Sequence, residues 1–114
     1  MKCNCWSVGL STESYKTTSQ DAPVTLDLKD YFPQLEKPKP INVDYCIAPA
    51  IEQLWSFGIE TLSSCCGHNG GYTENPSIVL VRVPSESQTK RIREIISKVD
   101  DRHFILHAWK LCDF

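Results

Sequence analysis

Hydrophobic positions along this chain change period several times, and each change marks an element. From Cys46 to Phe57, Ile47, Ala50, Ile51, Leu54 and Trp55 recur at i, i+3, i+4, i+7 and i+8. That is one face of an α-helix. Asp44 stands where a capping residue belongs, Pro49 falls in the first turn, and Gly58 sits where helices commonly stop. Ile59 to Cys65 then reads as a strand, residues 67–76 as a glycine-rich loop, and Ile78 to Val83 as a buried β-branched strand. Ser85 and Gln88 form a capping box that opens a second helix. Its buried stripe is Ile92, Ile95, Ile96 and Val99, and Asp100-Asp101 end it. Phe104 to Leu111 alternates as a last strand, and Ile41 and Val43 mark a first one.

The predicted order is strand, helix, strand, strand, helix, strand. It implies an α+β fold of βαββαβ, ferredoxin-like type, with two helices on one face of an antiparallel four-stranded sheet. Residues 41–114 form its single domain. Residues 1–40 precede it as an N-terminal arm and proline-rich connector. Within them, 1–22 show no period and read as an irregular arm. Val24 to Leu28 alternates enough for a short strand, and Pro33, Pro38 and Pro40 favour an extended connector.

Composition narrows the function classes. A chain of 114 residues, 41% hydrophobic and 23% charged, is that of one folded domain. A net charge of -2 gives no bulk support for nucleic-acid binding, although Lys90, Arg91, Arg93 and Lys98 allow a local basic face. No apolar run approaches the roughly 18 residues that would span a bilayer, and the first residues carry no apolar signal stretch. The expected setting is cytoplasmic. There, six cysteines point to metal ligation or to thiols rather than to disulfides.

The candidate chemistry lies in Ser63-Ser64-Cys65-Cys66-Gly67-His68 and in Cys3-Asn4-Cys5-Trp6. Thiolate and imidazole are preferred zinc ligands, and zinc in a structural site takes four of them. Gly67 allows the backbone to bend so that neighbouring side chains converge. The expected metal site draws on Cys3, Cys5, Cys65, Cys66 and His68, with one of the adjacent Cys65 and Cys66 serving as ligand, because strand-like neighbours point to opposite sides. It would pin the arm onto the domain. A cysteine nucleophile paired with His68 is the catalytic alternative.

The bland readings are specific too. Cys46 stands at the helix start, within reach of a metal, but reads first as a small buried residue. Cys112 is incidental. His103 and His107 are spaced for a helix, not a strand, and read as surface positions. Trp55 and Trp109 read as core, and Trp6 is expected to pack beside the CxC pair. Ile78 to Val83 lacks the aromatic pattern of an RNA-stacking sheet.

Cys46-Ile47-Ala48-Pro49, Leu54-Trp55, Gly58-Ile59-Glu60-Thr61, Ser64-Cys65-Cys66-Gly67-His68 and Ser77-Ile78-Val79-Leu80 resemble a family of small uncharacterised proteins of bacteriophages and prophages. The resemblance spans roughly residues 44–81, with the CxCW start as a second point. It implies a phage or bacterial origin and a cytoplasmic host setting, and brings no activity with it. The same region is similar, more distantly, to the wybutosine-synthesis tRNA methyltransferase family, whose motif is Ser-Ser-Cys-Ser-Gly-Arg. Here Cys66 and His68 replace its Ser and Arg, and the chain is much shorter, so only a shared architecture is implied.

Taken together, these features point to a small cytoplasmic protein with a structural zinc site, acting as a binding module for a host protein or nucleic acid. The alternative is a metal- or thiol-dependent enzyme, or a small-ligand (nucleotide) binder, that uses the Cys65–His68 loop.

Overall fold

The computed structural model describes Cys5, residues 22–67 and residues 75–108. Strands β1 (Val24–Asp27) and β2 (Pro40–Val43) come first, then α1 (Ala48–Ser56), β3 (Thr61–Cys65), β4 (Ser77–Leu80), α2 (Glu86–Ser97) and β5 (Ile105–Ala108). Short 3-10 turns at Leu28–Asp30 and Tyr45–Ile47 follow β1 and precede α1. The class is α+β, with two helices and two sheets, and the element order from β2 to β5 is consistent with a ferredoxin-like arrangement.

Strand pairing departs from a single antiparallel four-stranded sheet. β2 pairs with β1, antiparallel, Val43 opposite Val24 and Pro40 opposite Asp27. β3 pairs antiparallel with β4, and β4 pairs parallel with β5, Ser77 opposite Ile105. The parallel pair requires a crossover, and α2 supplies it. Pro40 lacks an N–H and sits at the first position of its strand, where that loss matters least.

Residues expected in the arm and connector contribute to the core. Leu28 is fully buried, and Leu26 and Phe32 are buried in the same cluster as Ile47, Ile51, Leu54, Trp55, Ile78, Ile92, Ile96 and Phe104. The connector is held by Asp27, whose carboxylate accepts the backbone N–H groups of Lys29 (3.0 Å) and Lys39 (2.9 Å). The Leu28 N–H donates to the Lys39 carbonyl at 3.0 Å. Proline thus stiffens a segment that is anchored at both ends. Residues 1–4 and 6–21 of the predicted arm, Trp6 included, and Trp109 lie outside the described residues.

The helices follow their sequence signals with small adjustments. α1 buries Ala50, Ile51, Leu54 and Trp55, and Gly58 follows it at φ +80°. The indole N–H of Trp55 donates to the Thr61 hydroxyl at 3.0 Å in the interior, joining α1 to β3. The α2 capping box is complete: the Ser85 hydroxyl accepts from the Gln88 N–H, and the Gln88 side chain accepts from the Ser85 N–H. Val99, expected in the buried stripe, is exposed, because α2 ends at Ser97. Leu62 is exposed at a register shift between Thr61 and Ser63.

Leu28→Ala tests whether residues 24–32 belong to the core. Removing a fully buried leucine should cost about 2–5 kcal/mol in urea unfolding. A loss below about 0.5 kcal/mol, as for a tethered surface arm, would contradict this packing.

Candidate metal centre

Three separated segments bring three sulfur atoms together. Cys46 lies in the 3-10 turn before α1, Cys66 follows β3 directly, and Cys5 comes from the N-terminal segment. The Sγ atoms of Cys5, Cys46 and Cys66 all lie within 4.8 Å of one another. Cys5 and Cys66 are buried and Cys46 is half-buried. None of the four described cysteines is in a disulfide. Sulfur atoms sharing one tetrahedral zinc stand about 3.8 Å apart, given a Zn–S bond of about 2.3 Å. The observed spacing needs only small side-chain adjustment to reach it.

Backbone contacts hold this convergence. The carboxylate of Asp44, expected to cap α1, makes no such cap. Its Oδ2 instead accepts the backbone N–H of Cys66 at 2.9 Å. That bond fixes the end of β3 against the start of the helical segment. The Cys46 N–H donates to the Cys5 sulfur at 3.4 Å, joining residues 41 apart in sequence.

A fourth segment reaches the same place from the approach to β5. Both terminal nitrogens of Arg102 donate to the Cys46 sulfur at 3.4 Å, and one also donates to the Cys46 carbonyl at 3.4 Å. The other side of the guanidinium grips Asp100, with Nε to Oδ1 at 3.0 Å and Nη2 to Oδ2 at 2.7 Å. The Arg102 backbone N–H also donates to Asp100 Oδ1, so the loop closes on itself. Both side chains are largely removed from water, at 11% and 2% exposure.

The electrostatics favour a thiolate at Cys46. The hydrogen bond from Cys66 is the largest influence, and those from Arg102 and Cys5 add to it. Against the opposing push of burial, they lower the Cys46 thiol to about 5. Burial pushes the Asp100 carboxyl up, but the Arg102 hydrogen bonds outweigh it and hold Asp100 below its usual range. Asp100 in turn raises Arg102. Cys65 goes the other way: burial raises its thiol, with Asp44 and Cys46 nearby adding repulsion.

Of the five predicted ligands, the structure thus brings Cys5 and Cys66 together. Cys65 stands outside the cluster of three, its sulfur accepting the Gly67 N–H at 3.4 Å. Cys3 and His68 lie outside the described residues, as does Cys112. Cys46, read first as a small buried residue, is a full member of the cluster. Its position one turn before α1, followed by Pro49, was the available signal. His103 and His107 are exposed. Among the described residues, no helix is long and apolar enough to cross a membrane.

Compared with known proteins, the chain matches no family model, and no curated protein or solved structure is significantly similar to it. The chemistry of the cluster therefore carries the argument for a metal site by itself.

The Cys46 environment has a direct chemical consequence. The thiolate is the species that alkylates. A thiol lowered to about 5 stays ionised down to that pH, so iodoacetamide labelling of Cys46 in chelator-treated protein should fall to half its plateau near pH 5. Cys65 should label only above the ordinary thiol range, about 8.5. Peptide mapping by mass spectrometry reads both. A Cys46 midpoint in the ordinary thiol range would show that Cys66, Arg102 and Cys5 do not stabilise its thiolate.

Proposed function

We propose that this chain is a small binding module whose fold is completed by a structural zinc ion, held by Cys5, Cys46 and Cys66 with a fourth ligand from His68 or Cys3. The convergence of three sulfur atoms from three separated segments carries this reading. Zinc is favoured over harder cations because the donors are soft thiolates, and a closed four-ligand site leaves no position for water or substrate. The ion would tie the N-terminal segment to both ends of the α1–β3 unit, the task the sequence assigned to Cys3, Cys5, Cys65, Cys66 and His68.

The partner is a host protein or a nucleic acid. Phe57 and Val83 are 48% and 51% exposed, beside a groove that also holds Ile59, Arg82 and Arg91. The Arg91 guanidinium lies 5.4 Å from the Phe57 ring centroid. Exposed apolar side chains rimmed by charge favour a protein partner, and the net charge of -2 gives nucleic acid no bulk support. The resemblance over roughly residues 44–81 supports a phage or prophage origin and a bacterial cytoplasmic setting.

A second reading has its own observation. The lowered Cys46 thiol, with Cys66 and Cys5 beside it and Arg102 against it, is also the arrangement of a reactive thiolate. In that reading the protein is a thiol-dependent enzyme or small-ligand binder.

Elemental analysis of untagged protein separates the two. Zinc near one equivalent is expected in the wild type and in Cys65→Ser. Cys5→Ser, Cys46→Ser and Cys66→Ser should lose it and melt at lower temperature. His68→Ala and Cys3→Ser identify the fourth ligand by which of them also loses the ion. Metal-free wild type with full stability would overturn the zinc reading and favour the thiol one.

A further inference from the structure

Resting on the metal-centre reading, we propose that Arg102, clamped by Asp100, is a positioning residue of the centre: it fixes the orientation of the Cys46 sulfur and shares its negative charge, so that the ion meets a preformed ligand. A guanidinium presents its donors in a rigid planar fork. Here Nε and Nη2 are taken by the two oxygens of Asp100. The donors left over, on Nη1 and Nη2, converge on one sulfur atom and on the carbonyl of the same residue.

Each contact has a separate role. The bidentate pair with Asp100 fixes the plane of the guanidinium. The bond to the Cys46 carbonyl fixes the backbone turn from which the sulfur projects. The two bonds to the sulfur fix its rotamer and take up charge that three thiolates around one divalent ion leave in excess. A further contact supports the arrangement: the guanidinium carbon lies 5.9 Å from the Phe104 ring centroid, at the entry to β5. Outer partners of this kind orient metal ligands, and their loss typically weakens metal binding by about 10–100-fold.

Arg93 supplies a control within the same fold. Its guanidinium donates from α2 to the Phe104 carbonyl at 3.0 Å, so it serves the same loop through a backbone oxygen. Zinc affinity is measured by competition with a chelating dye on full-length Arg102→Gln, Arg102→Lys, Asp100→Asn and Arg93→Gln. The thiolate-to-cobalt charge-transfer band of cobalt-substituted protein is the spectroscopic readout. Arg102→Gln and Asp100→Asn should weaken zinc binding about 10–100-fold and shift the band, with Arg102→Lys recovering part of both. Arg93→Gln should lower the melting temperature and leave affinity and band unchanged.

If Arg102→Gln does not fold, Arg102→Lys and Asp100→Asn decide the matter by the same two readouts. Affinity and band unchanged in the Arg102 and Asp100 variants would overturn this inference while leaving the metal centre intact. Equal changes in Arg93→Gln would do so too, by showing that the effect is merely structural. A wild type that takes up neither zinc nor cobalt would overturn the metal centre and this inference with it.

Discussion

The 2.9 Å hydrogen bond from the Cys66 N–H to the Asp44 carboxylate is the contact on which the rest of the centre depends. It joins the residue before the 3-10 turn to the first residue after β3, 22 positions apart. The Cys66 side chain also hydrogen-bonds Cys46, and the Asp44 bond adds a backbone anchor to that contact. With it, the 3-10 turn at Tyr45–Ile47 and the exit from β3 become one rigid corner. Hydrogen bonds to charged groups are worth about twice neutral ones, so a carboxylate is well suited to this position. Burial raises the neighbouring Cys65 thiol, and the same carboxylate adds to the rise. Of the two adjacent cysteines, the one whose sulfur enters the cluster is the one whose backbone Asp44 holds.

Chain entropy decides what an ion would add. Cross-linking the ends of a loop of 41 residues, the Cys5–Cys46 separation, removes on the order of 4 kcal/mol of unfolded-chain freedom. A structural zinc site binds with roughly 10–16 kcal/mol. One ion can therefore hold the N-terminal segment in place and still contribute to the whole fold. The apolar core gathers residues from Leu26 to Phe104 and also includes Cys5. At Cys5, hydrophobic burial and sulfur contacts therefore act on the same residue.

Legibility in the sequence followed the range of the interactions. Both helices were readable because capping boxes and i, i+4 stripes are local, as at Ser85–Gln88 and Ile47–Trp55. Strand partners were not. β2 lies beside β1 because Val43 and Ile41 find Val24 and Leu26 across a 3-10 turn and a proline segment, and nothing within Pro40–Val43 states that choice. β4 and β5 can then lie next to each other. For the site, Cys5 and Cys66 stood out through their motifs, CxCW and SCCGH. Cys46 has no partner nearby in sequence. Its role arises from the corner that Asp44 builds, and Asp44 itself looked like an ordinary helix cap.

The cluster also shows why one geometry supports both a structural and a reactive reading. A proton, a metal ion and an electrophile compete for the same sulfur lone pairs. Arg102 and the neighbouring thiols weaken the proton's claim on Cys46, and that alone favours the other two equally. What separates them is the number and placement of the donors. A nucleophile needs one thiolate facing an approach path, with a group to accept or deliver a proton. Here two of the three sulfur-bearing residues are buried and one is half-buried, and the arginine against Cys46 is locked to a carboxylate. Arg102 and Asp100 hold their charges in fixed opposition, which suits them to orienting a ligand and poorly to relaying protons. Three convergent sulfurs with a rigid, paired cation behind one of them are the arrangement that the proposed metal cage requires.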